Sequence, residues 1–191
     1  VRKKAGEALT VHPGFSPLAL TGAMVLLLTG CGPSVKEPPA RTINPFPLPE
    51  FELPTTDGQT LSSQQARGHI SIITFWTAWS PSAVRQAADL VDLQERYREN
   101  GIKVFAIALN EGPGTEDIEA FIEHSRINYP VGVADGDFHH QFNSINAIPS
   151  TFIVAPEGQV INRYTGVALP EELDREVRYL LALEEEKNRG S

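Results

Sequence analysis

The chain has one cysteine in 191 residues, Cys31, so it cannot close an internal disulfide. Methionine also occurs once and tryptophan twice, at positions 76 and 79. Cations are scarce: 16 Lys and Arg stand against 24 Asp and Glu, for a formal charge of −8 and a pI near 5.1. No basic stripe crosses the body of the chain, which excludes a nucleic-acid partner. No uninterrupted apolar run approaches the roughly 20 residues that a membrane-spanning helix needs. What is present is 41% hydrophobic residues, enough for a core, in a length that fits one domain with flanking segments.

The first 31 residues read as a separate text. Arg2, Lys3 and Lys4 precede the 11-residue apolar run "LALTGAMVLLL" (18–28), which has the size of a signal h-region. "LTGC" (28–31) follows and resembles a bacterial lipobox, in which the cysteine takes a diacylglycerol and the chain is cut before it. Residues 1–30 are therefore expected to be a lipoprotein signal peptide, with Cys31 lipidated. Removing them takes Arg2, Lys3, Lys4 and Glu7, so 16 basic and 24 acidic residues become 13 and 23, a net of −10. Such a body is not drawn to an anionic surface, and the lipid holds it to the membrane instead. Residues 31–49 carry six prolines and read as a tether of polyproline II character.

From residue 50 the pattern becomes globular. Two short extended pieces flank Asp57-Gly58, a hairpin signal. "HISIITFW" (69–76) and "KVFAIAL" (103–109) read as buried strands. Between them Pro81 to about Asn100 is helical, with Val84, Ala87, Ala88, Leu90, Val91, Leu93 and Tyr97 as its inward face and Gly101 as its stop. Thr115 is placed to cap a helix carrying Ile118, Phe121 and Ile122. Residues 129–134 are extended, and 150–155 and 159–165 form a hairpin about Glu157-Gly158. Pro170 opens a last helix that buries Leu173, Val177, Leu180 and Leu181, and 184–191 is a solvated tail.

This order, with "FWTAWSPSA" (75–83), "AIPSTFIV" (147–154) and the inserted stretch 103–134, resembles the TlpA/ResA-like branch of the thioredoxin-fold family. The resemblance covers residues 46–183. It implies an α/β thioredoxin-like fold: a central mixed sheet flanked by helices, an N-terminal hairpin and a TlpA-type central insertion. It also implies a cis-proline at Pro149, facing the helix start. In the family two cysteines flank the helix start, the first activated by the helix N-terminus. Here Ser80 and Ala83 hold those positions, and Gln86 stands where the branch often has a thiol-tuning glutamate. None of the three can carry out dithiol exchange.

Ser80 lacks the Gly-x-Ser-x-Gly surroundings of a hydrolytic nucleophile and reads as a helix cap before Pro81. Asp135, Asp137, His139 and His140 are the candidate metal ligands. Against that stands a plainer reading: a turn at Asp135-Gly136, a cap at Asp137 and exposed histidines. Trp79 is the tryptophan expected to face solvent. The expectation is a redox-inactive, lipid-anchored accessory or chaperone-like protein of the periplasmic side of a bacterial membrane, without a cofactor. It would hold a peptide or protein, such as an active oxidoreductase, in the groove of Trp79, Ser80, Pro81, Ile148 and Pro149. The alternatives are the family's thiol-disulfide oxidoreductase or redoxin/peroxidase activity, and a metal-binding accessory role.

Overall fold

Ser71–Trp76 combines β-branched, aromatic and small side chains, and all six residues are buried. A strand covered on both faces sits in the middle of a sheet, and the structure places it there. The structure is a computed structural model and describes residues 39–110, 115–143 and 145–190. The chain divides into two units, residues 1–34 and 35–191, and only the second is described here. The expectations for the signal peptide and for Cys31 lie outside the described residues.

In chain order the strands are β1 (Phe46–Pro47), β2 (Glu52–Pro54), β3 (Thr60–Ser62), β4 (Ser71–Trp76), β5 (Lys103–Asn110), β6 (Val131–Asp135), β7 (Ser150–Val154) and β8 (Gln159–Thr165). The helices are α1 (Pro81–Arg96), α2 (Glu116–His124) and α3 (Pro170–Gly190). One mixed sheet runs β1-β8-β7-β4-β5-β6, and β2 and β3 form a separate hairpin. Strands β4, β5 and β6 are mutually parallel, whereas β7 is antiparallel to β4 and to β8. This is the α/β architecture expected, with its N-terminal hairpin and central insertion.

Alternation along β4 builds two cores. Ile72 and Trp76 join Val104, Ala106, Ala108 and Ile153 under the three helices. Ile73 and Phe75 join Phe105, Ile107, Phe152 and Val154 beneath the β2–β3 hairpin and Phe142. Trp76 meets Phe121 of α2 at 4.5 Å between ring centroids, and Phe75 meets Phe142 at 4.8 Å.

Helix α1 is turned relative to the expected face. Its inward stripe is Ala83, Gln86, Ala87, Leu90 and Leu93, while Val84 and Ala88 are exposed. The rotation follows from Gln86, whose amide oxygen accepts a buried hydrogen bond and so draws a polar residue inside. On α3, Glu176 is buried between Leu173 and Leu180, and its Oε2 accepts from Asn162 Nδ2 and Tyr164 OH, each at 3.0 Å. Leu181 is only half-buried. The stretch from 184, expected as a tail, is helical to Gly190, and Lys187 Nζ pairs with Glu157 Oε1 at 2.7 Å.

The segment expected as tether to residue 49 joins the fold earlier. Thr42 N and Oγ1 both donate to Asn162 Oδ1, Phe46–Pro47 pairs with Gln159–Val160, and Leu48 enters the core. The apolar residues between the prolines are what seat it. Thr115 sits at the N-cap of α2, but its Oγ1 donates to Glu119 Oε1 instead of accepting from the backbone.

Candidate functional site

The parallel strands fix where the site lies. β4 runs out at Trp76, and α1 begins at Pro81, with proline at the first helical position where its missing N–H costs nothing. Phe75 opposes Ser150, and Ser150 opposes Thr165, so the loops before β7 and after β8 reach the same end of the sheet. Three hydrogen bonds tie them together. Gly166 N donates to Pro149 O at 2.8 Å, Ala168 N to Gln86 Oε1 at 2.7 Å, and Ser150 Oγ to Ala147 O at 2.7 Å. The Ile148–Pro149 peptide is cis.

Ser80 occupies the N-cap of α1 in extended conformation, yet its side chain makes no capping bond. The expected cap is corrected: Oγ lies 2.8 Å from Ser82 Oγ, and the two hydroxyls satisfy each other. A second hydroxyl is no base, so this pair has no means of generating an alkoxide. Ser80 is 7% exposed and Ala83 1%, the latter a member of the helix-side core. Gln86 is 1% exposed, and as a neutral amide it pins the β8–α3 loop to α1 without exchanging a proton.

The five expected groove residues lie at the end of the sheet where β4 stops and β7 starts. Trp79, 70% exposed, and Pro81 are exposed; Ile148 is half-buried; Ser80 and Pro149 are buried. Grooves of about 390 and 460 Å³ occur elsewhere, beside Asn128 and Tyr129, and no residue of this site lines them. The sequence reading missed Val84, exposed on the first turn of α1, and Leu169, exposed in the loop pinned by Gln86. Leu169 directly precedes Pro170 at a helix entry, which was the available signal. Half-buried on α1, the Asp89 carboxyl is pushed up by burial despite the nearby Arg85 guanidinium.

Asp135, Asp137, His139 and His140 do not converge. Asp137 Oδ1 is 3.9 Å from His140 Nε2, both side chains are well exposed, and the two imidazoles lie against each other at 4.2 Å. Among the described residues no three His, Cys, Asp or Glu are placed to hold a metal ion. The helical turn at Gly136–Phe142 starts from Asp135, not Asp137, and without a side-chain cap.

A profile of the AhpC/TSA family matches residues 46–163. The thiol-disulfide oxidoreductase ResA of Bacillus subtilis (strain 168) is 24% identical over 119 residues, which is 62% of this chain and 65% of that protein. ResA of Geobacillus kaustophilus (strain HTA426) is 24% identical over 127 residues, covering 66% and 72%. Among solved structures, a thioredoxin-family thiol:disulfide interchange protein from Chlorobium tepidum TLS superposes with a TM-score of 0.65 at 27% identity, over 73% of this chain and 98% of that one. StoA from Bacillus subtilis superposes with a TM-score of 0.58 at 21% identity, over 68% and 96%. The fold is thioredoxin-like and the relatives are oxidoreductases of ResA/TlpA type; with its matched region running from β1 through most of β8, the chain belongs to the AhpC/TSA family.

Proposed function

We propose that this protein is a redox-inactive member of its family that binds a peptide or protein partner at the former thiol site, held to the periplasmic face of a bacterial membrane by lipid on Cys31. One observation carries the reading. No described residue is a cysteine, while the surface above Ser80 is built and pinned in place. Thiol exchange needs a thiolate to attack and a second thiol to resolve. A paired hydroxyl at Ser80 and a buried methyl at Ala83 supply neither. What persists is an exposed indole over a rigid floor, the kind of anchor that recognition surfaces use.

An insulin-reduction assay on the purified protein tests the chemistry, and the expected result is turnover at background. Turnover above background would restore the oxidoreductase reading that the ResA relatives favour. A photo-crosslinking residue at position 79 tests the groove in cells. Adducts are expected there and not at exposed Glu99, near the far end of α1. Equal adducts at the two positions would remove the groove from the account.

A further inference from the structure

The thiol-site end of the molecule carries both its exposed apolar surface and a one-sided charge. Four large hydrophobic side chains are exposed among the described residues, and three of them, Trp79, Val84 and Leu169, lie at this end. Among the described residues all three α-helices begin here, because each follows a strand that ends here. The first turn of α2 holds Glu116, Asp117 and Glu119, and that of α3 holds Glu171 and Glu172. β6 ends at Asp135, with Asp137 two residues on. None of these turns contains Lys or Arg; the first turn of α1 is uncharged, and Arg85, the residue after it, acts on the Asp89 carboxylate of the same helix. Acids at helix starts are ordinary complements of the helix dipole. Their gathering around an apolar patch is a consequence of the topology, and it gives the patch a sign.

We propose that the partner segment docking on Trp79, Val84 and Leu169 is cationic and apolar in alternation, with Lys or Arg side chains reaching the acidic ring while apolar ones cover the patch. This rests on the reading of the site as a binding groove and specifies what it selects. A polyanion or an acidic client is repelled by the same ring.

The test uses full-length protein purified from bacterial membranes in mild detergent, with fluorescein-labelled decapeptides read by anisotropy. The alternating lysine–leucine peptide is expected to bind saturably and to weaken with salt. Its glutamate–leucine and lysine–glycine counterparts should bind about tenfold more weakly or worse. Trp79→Ala should weaken the first peptide by about tenfold. So should the fourfold neutralisation E116Q/E119Q/E171Q/E172Q, which should also flatten the salt dependence. D135N/D137N removes charge outside the α-helices and should weaken binding in the same direction, which guards against a loss that is only helix destabilisation. Equal binding of lysine and glutamate peptides, or unchanged binding by both neutralised variants, overturns the proposal and leaves the acids as helix-end stabilisers. If Trp79→Ala is the only variant that weakens binding, the groove reading stands and the charge selection falls. If no peptide binds saturably, the proposal fails, while the cross-linking at position 79 still decides the groove.

Discussion

Gly132 lies in β6 directly beneath the β2–β3 hairpin, and a Cβ built there would stand 3.0 Å from both Leu53 Cβ and Leu61 Cδ2. Leu53 Cβ is fixed to the hairpin backbone and cannot withdraw, and Leu61 is packed in the same core. Gly132→Ala is expected to destabilise by about 1–3 kcal/mol through overpacking, measured by urea denaturation. Gln86 is a second position with a narrow tolerance. Gln86→Ala leaves the buried Ala168 N–H without its acceptor, at a cost of about 1–3 kcal/mol in the same measurement. Ser80→Ala should behave in the opposite way. An N-cap serine normally contributes about 1 kcal/mol, but here the hydroxyl bonds only Ser82, so the loss should stay under about 0.5 kcal/mol. A larger loss would mean that the hydroxyl caps the helix in solution.

The elements were legible wherever one residue type dominated. Strands β4 and β5 announced themselves through unbroken β-branched and aromatic runs, and α1 through its proline start; the expected stop was late, since α1 ends at Arg96 and Gly101 closes a further 3-10 turn over Arg98–Asn100. The register of α1 was not legible, because hydrophobic periodicity assigns Gln86 outward and only the tertiary bond to Ala168 turns it in. Glu176 escaped notice for the same reason. It reads as one more surface acid on α3, and its partners Asn162 and Tyr164 come from a strand that sequence cannot dock. Asn162 also receives two donors from Thr42, so it joins the incoming chain, β8 and α3. Asn162→Ala strips partners from both Thr42 and Glu176. It is expected to destabilise by about 2–4 kcal/mol, seen as a lower urea midpoint. The pair of motifs around residues 80 and 149 was legible as a site, whereas the charge around it was not, because the acids come from α2, from α3 and from the end of β6 with the turn after it, far apart in sequence.

At the scale of the whole molecule, three tyrosines tie stability to alkaline pH. Burial pushes the Tyr97 hydroxyl up to about 12, helped by its 2.6 Å bond to Asp174. Burial also raises Tyr129, and raises Tyr164 together with the adjacent Glu176. A phenol whose proton is held more tightly in the folded state stabilises fully below its unfolded pKa, near 10, and loses that contribution as pH climbs through the folded value. The thermal midpoint should therefore fall as pH rises from about 10 to about 12, and Tyr97→Phe should shrink that fall. An unchanged slope in the variant would remove Tyr97 from the account. The proline-rich entry segment has a further consequence at this scale. Leu48 N turns inward to Gly158 O, so by strand alternation the backbone nitrogens of residues 45, 47 and 49 turn outward, and all three are prolines. The outer border of the sheet therefore offers no amide donors at those positions to a passing strand, which blocks edge-to-edge aggregation. At the opposite border the hairpin bridges Thr55 to Gly132. The proline-rich segment that leads into the domain is thus also what keeps neighbouring copies from joining their sheets.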